Sequence, residues 1–87
     1  MYPSPMQLRA ARTLVGLTQD EISRRVGLSQ RTMVAVEMRK SSLSALHSVM
    51  GFYAGLGISF SGTPDYTVQT VTYTQATPPD VPPIPDT

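Results

Sequence analysis

Residues 18–38, TQDEISRRVGLSQRTMVAVEM, decide how this chain folds. They read as two short helices joined by a tight turn at Gly27. Thr18 and Glu21 make a capping box: the Thr18 hydroxyl accepts the Glu21 N–H while the carboxylate accepts the Thr18 N–H. Ile22 and Val26, one turn apart, give the first helix an apolar stripe. Gly27 supplies the positive φ of a sharp turn, and Leu28 plugs the core after it. Ser29 caps the second helix, whose inward face is Met33 and Val36. Gln30, Arg31, Thr32, Val34 and Ala35 are left facing outward. That edge mixes hydrogen-bonding groups with small apolar ones, as the floor of a DNA major groove requires.

The pattern extends to both sides. Residues 6–15, MQLRAARTLV, are good helix formers with apolar positions Leu8, Ala11, Leu14 and Val15, and Gly16 ends that helix. Residues 1–5 add little to the pattern and read as a flexible N-terminus, with Met6 a second candidate start. After the basic connector Arg39-Lys40-Ser41-Ser42, a fourth helix runs from about Leu43 to Ala54, capped by Ser42 or Ser41. Leu43, Leu46, Val49, Met50 and Tyr53 form its apolar face. Gly51 and Gly55 weaken it by about 1 kcal/mol each, and Gly51 reads as a point of close helix packing. The periodicity changes at Ile58. ISF is a short strand, Gly62-Thr63-Pro64-Asp65 is turn chemistry, and YTVQTVTYT (66–74) is rich in strand formers. The natural pairing is a hairpin of 58–61 with roughly 67–73, which needs the helices or a second subunit to pack on. Residues 75–87, QATPPDVPPIPDT, read as an extended, disordered, proline-rich tail. The expected organisation is therefore residues 1–5 flexible, 6–57 a helical domain, 58–74 a hairpin and possible dimerisation element, and 75–87 a tail.

Composition narrows the function. The 87 residues allow one small domain. There is no cysteine, so no disulfide or thiolate metal site. No stretch reaches the length of a membrane span, and MYPSPMQLRAAR lacks the apolar core of a signal peptide, so the expected location is the cytoplasm. Charge is segregated. Residues 1–57 hold all seven Lys and Arg (Arg9, Arg12, Arg24, Arg25, Arg31, Arg39, Lys40) against Asp20, Glu21 and Glu37, a net +4. Residues 58–87 hold only Asp65, Asp80 and Asp86. A basic body with an acidic tail suits a polyanion-binding head, and a solvated surface explains it nearly as well. No nucleophile–base pair, phosphate loop or metal-ligand spacing is present, so no enzyme, cofactor or metal is expected.

The strings LRAARTLVGLTQDEISRRVGLSQRTMVAVE and SLSALHSVMGFYAGLGISF resemble the Cro and phage-repressor (xenobiotic-response-element type) helix-turn-helix family over residues 6–60. The shared features are L-T-Q opening the second helix, G-L-S-Q at the turn, Glu37 ending the third helix, and a closing L-x-x-L…L-G-I. The resemblance implies a mainly α, lambda-repressor-like four-helix DNA-binding domain, here with an appended C-terminal hairpin. It also implies dimers on near-palindromic operators and mostly repressor activity. It would set Gln30, Arg31, Val34 and Ala35 as base-reading positions. Gln30 would bond adenine, Arg31 would address guanine or a phosphate, and the apolar pair would meet thymine methyls. It would give Gln19 a phosphate contact at a helix N-terminus, with Ser29, Thr32, Arg39 and Lys40 as further phosphate candidates. Arg12 and Glu37 align with a structural pair tying helix one to the end of helix three.

The chain departs from the family pattern at Ser23, where alanine is frequent. At Arg39 glycine is frequent, and a positive φ would cost about 1 kcal/mol. Val34 and Ala35 leave few hydrogen-bonding groups late in the third helix. Simpler readings stand beside these. Arg24 and Arg25 read as surface, or as i,i+4 partners of Asp20 and Glu21. His47 reads as a surface residue, Met33 and Met50 as core fillers, and Tyr66 and Tyr73 as hairpin or dimer packing. The expected function is a small dimeric DNA-binding repressor or autoregulator of double-stranded DNA. The rival is a protein-interaction module, such as an antitoxin or a regulator's partner, acting through hairpin and tail.

Overall fold

A computed structural model describes residues 3–75. It contains helices α1 (Pro5–Val15), α2 (Gln19–Val26), α3 (Gln30–Glu37) and α4 (Leu43–Leu56), then strands β1 (Ile58–Gly62) and β2 (Gln69–Tyr73). The strands form one antiparallel pair, with Ile58 opposite Tyr73 and Gly62 opposite Gln69. The fold is mainly helical with an appended hairpin. The proline-rich segment 76–87 lies outside the described residues. Among the described residues no helix is long and apolar enough to cross a membrane, and no cluster of His, Cys, Asp or Glu could hold a metal.

Each helix begins on a hydroxyl cap. Thr18 and Glu21 form the reciprocal box on α2, Ser29 accepts the Thr32 N–H on α3, and Ser42 accepts the Ala45 N–H on α4. Gly27 ends α2 at φ +75°. Gly57 is more tightly constrained. It sits at φ +98°, and a Cβ there would lie 1.9 Å from the Thr74 carbonyl oxygen. Only glycine lets the chain leave α4 and enter β1 beside β2.

One core joins the four helices and β1: Leu8 and Ala11, Ile22, Met33 and Val36, Ala45, Leu46, Val49 and Tyr53, and Ile58. Strand alternation places Phe60, Val71 and Tyr73 against this core, while Ser59, Ser61, Thr70 and Thr72 face out. Phe60 meets the buried Tyr53 ring edge-on, centroids 6.2 Å apart. The hairpin thus packs on the helices of its own chain.

Five sequence expectations are corrected here. Pro3–Pro5 belong to the fold: Pro3 is buried, Pro5 opens α1, and Ser4 caps it in a box with Gln7. Leu14 and Leu43, assigned to apolar faces, are about half exposed, because each lies at the rim of its helix stripe. Gly51 allows no close packing, since nothing lies within 4 Å of the position its Cβ would take. Helix α4 runs to Leu56, two residues beyond the expected end. Tyr66 lies in the loop between the strands at φ +62°, so β2 begins only at Gln69.

The hairpin is fastened by a buried amide. Gln7 is 2% exposed, and its Oε1 accepts the Ser4 N–H at 2.9 Å. Its Nε2 donates to the carbonyls of Ser61 (2.8 Å) and Thr70 (3.0 Å). The Ser4 hydroxyl donates to Gln69 Oε1 on β2. Backbone bonds from Thr63 N–H to Val68 and from Thr74 N–H to Gly57 bracket the ladder. Counting inward by two makes Ser61 and Thr70 a hydrogen-bonded pair, so Gln7 seats its amide under one closed ring of the ladder.

Candidate nucleic-acid interface

Helix α3 is held in place from its buried side. Met33, Val36 and Glu37 face inward. Glu37, 3% exposed, accepts the Arg12 Nε–H at 2.7 Å through Oε2 and the Gln19 amide at 2.6 Å through Oε1. One carboxylate therefore ties the end of α3 to α1 and to the first residue of α2. A buried charge with partners on both oxygens avoids the penalty of an unpaired one. The Arg12–Glu37 pair inferred from the family pattern is present in the geometry.

The opposite side of α3 is exposed. Gln30, Arg31, Val34 and Met38 face solvent, and Ala35 and Thr32 are half-buried beside them. At helical spacing these make one ridge, Gln30–Val34–Met38 flanked by Arg31–Ala35. Met38 is half exposed at the C-cap and was not singled out by sequence. Its four-residue interval from Val34 was the available signal.

The phosphate candidates separate into two groups. Lys40 and Ser29 are exposed; the Ser29 and Thr32 hydroxyls lie 2.9 Å apart, the Ser29 oxygen already accepting the Thr32 N–H. The N-terminus of α3 is therefore capped from within. Gln19 and Arg39 are engaged inside the fold. The Gln19 amide donates to Glu37, and the Arg39 guanidinium donates to the Pro3 carbonyl at 2.5 Å. This bond draws the Arg39 side chain toward the N-terminal segment. Arg39 also carries φ +58°, the strained condition that glycine would relieve.

The remaining charges are local. Arg24 pairs with Asp20 at 2.8 Å across one turn of α2, an exposed pair worth well under 1 kcal/mol. The Glu21 carboxyl is held below its ordinary range by the Thr18 backbone and hydroxyl bonds. The Tyr53 hydroxyl is buried without a hydrogen-bond partner among the described residues. Burial first, and the Glu37 charge second, push its ionisation far upward. Asp65, in the hairpin loop, accepts both the Thr63 and Thr67 hydroxyls at 2.7 Å and the Thr67 N–H at 3.1 Å, which lowers its pKa to about 2.

No family model, curated protein or solved structure matches this chain. A functional reading therefore rests on the residues themselves.

Proposed function

We propose that this chain is a sequence-specific DNA-binding transcriptional regulator, acting as a small dimeric repressor or autoregulator. The observation that carries the reading is the α2–turn–α3 unit: a short helix locked by Glu37 on its inner side and presenting Gln30, Arg31 and Val34 on its outer side. A rigid helix bearing an amide, a guanidinium and a small apolar group fits the major groove, and the basic body supplies the electrostatic attraction. Lys40 is the strongest phosphate candidate. Gln19 would reach a phosphate only through its second amide proton, the first being given to Glu37.

Selection of bound sequences from a random DNA pool, at stated salt, tests the reading and returns operator, symmetry and half-site spacing together. Gln30→Ala and Arg31→Ala each cost about 1–3 kcal/mol on the selected operator, whereas Lys40→Ala weakens all sequences alike and flattens the salt slope by about one unit. Unchanged specific binding by both α3 variants rejects this use of α3.

The hairpin supports the dimer. Strands β1 and β2 carry no charge, and the register runs without a bulge, so its edges lack the devices that discourage strand pairing. Light scattering on the full chain should give twice the monomer mass. The exposed substitutions Thr70→Lys and Thr72→Lys should return it to a monomer.

The second reading is a protein-interaction module, and the exposed apolar side chains of Val34, Met38 and Leu43 favour it. It predicts no enriched sequence in the selection.

A further inference from the structure

The exposed ridge of α3 has two unlike halves. Its first turn carries the donors and acceptors of Gln30 and Arg31. From Val34 onward it carries Val34, half-buried Ala35 and Met38, and no side chain able to make a strong hydrogen bond. An isopropyl group cannot tell the thymine O4 acceptor from the cytosine N4 donor. It can touch the methyl on C5 of a pyrimidine, which projects into the major groove. Gln30 and Val34 are four residues apart, about 6 Å along the helix axis, a little under two base-pair steps of about 3.4 Å. A helix lying along the groove thus holds Val34 about two base pairs from the pair that Gln30 and Arg31 address.

We infer that α3 reads a C5-methyl group at that position rather than the identity of the base. Thymine and 5-methylcytosine bind about equally, while uracil and unmodified cytosine bind about fourfold more weakly for each methyl missing. The inference rests on the DNA-binding reading above and specifies its ligand: duplex DNA with a pyrimidine methyl about two base pairs from a purine. Thymine and 5-methylcytosine carry the methyl on the same ring carbon. They differ at C4, where Val34, Ala35 and Met38 offer no partner. Methylation of a cytosine in an otherwise matching site therefore tightens binding by the same factor.

The test uses the full chain and the operator from the selection, in fluorescence anisotropy at fixed salt. Each thymine of the half-site is replaced in turn, in both half-sites, by uracil, 5-methylcytosine (with guanine opposite) or cytosine. At one position, uracil and cytosine should weaken binding about fourfold for each methyl lost, about fifteenfold for a symmetric site, while 5-methylcytosine stays within twofold of thymine. Val34→Ala, an exposed change that leaves the core intact, should bring the thymine-to-uracil ratio toward one. Uracil binding as tightly as thymine at every position overturns the inference alone, and so does 5-methylcytosine binding as weakly as cytosine. A selection that enriches no sequence overturns the DNA-binding reading and the inference with it.

Discussion

Gln7→Glu changes one heavy atom of the side chain and reverses its role. The wild-type amide accepts the Ser4 N–H and donates to the Ser61 and Thr70 carbonyls at 2.8 and 3.0 Å. A glutamate keeps the shape and the Ser4 bond but sets a carboxylate oxygen against two carbonyl oxygens in a site 2% exposed. Two hydrogen bonds are lost, at about 1 kcal/mol each, and an unpaired buried charge adds to that. Ser61 and Thr70 remain paired with each other, so no backbone group is orphaned. The expected loss is about 3–4 kcal/mol at neutral pH, a large part of the 5–15 kcal/mol typical of a domain. Melting should fall by on the order of 15–25 °C. Gln7→Ala also removes the Ser4 bond but adds no charge, so its loss should be about 3 kcal/mol and independent of pH. The pH dependence separates the two. Burial and facing carbonyls raise the folded pKa of the new carboxyl above its unfolded value of about 4.3. Its protonated form regains a donor, so the glutamate variant recovers stability toward wild type as pH falls through that folded pKa and loses it as pH rises. Urea unfolding of wild type and both variants from pH 4 to 8, with amide exchange on β1 and β2, measures this. A Gln7→Glu protein within 1 kcal/mol of wild type at neutral pH, or one whose deficit ignores pH, refutes the role given to this amide.

Three further outcomes follow from the same kind of reasoning. Tyr53→Phe removes a buried hydroxyl that has no partner among the described residues, so urea unfolding should show stability unchanged or raised by up to about 1 kcal/mol; a loss of stability would reveal a bond to the hydroxyl. Glu37→Ala should cost about 2–3 kcal/mol, below the 3–5 of a fully buried pair, because Arg12 is 26% exposed and can turn to water; a loss under 1 kcal/mol refutes the clamp. Asp65 has its pKa lowered to about 2 by three hydrogen bonds. Its contribution is complete above its unfolded value and disappears as pH falls toward 2, so the Thr67 amide resonance should titrate near pH 2 in wild type and not in Asp65→Asn.

Where the sequence was legible, the signal was local. Thr18–Glu21, Ser29 and Gly27 place α2 and α3 within one residue, since caps and a positive-φ turn need no distant partner. The hairpin was legible because strand formers flank a Thr-Pro-Asp turn. What escaped was the long-range role of the first residues. Ser4-Pro5-Met6-Gln7 carries the same box signature as Thr18–Glu21, yet no local rule says that the Gln7 amide will face a strand pair more than fifty residues away. Arg39 shows the complementary failure. As a basic loop residue it is indistinguishable from Lys40 in sequence, and only the nearness of the Pro3 carbonyl separates them. Leu43 reads as core by spacing, but its place in the first turn of α4 leaves it beyond the edge of the neighbouring helices.

These long-range contacts converge on one mechanical property. Arg39, two residues after α3, holds the Pro3 carbonyl. Ser4 and Gln7 hold β1 and β2. Glu37 holds α1 and α2. The exposed ridge of α3 and the outer face of the hairpin therefore belong to one bonded frame, in which Pro3–Gln7 bonds to both the segment after α3 and the strand pair. Under the proposed function, a half-site read by one amide, one guanidinium and a methyl contact would supply limited discrimination. Two such half-sites gain only when their separation matches a turn of DNA, about 34–36 Å. If two copies meet through their hairpins, that separation is set by the frame rather than by a flexible linker. The buried Gln7 amide, on a different helix from the α3 ridge, would then serve recognition through the spacing it maintains.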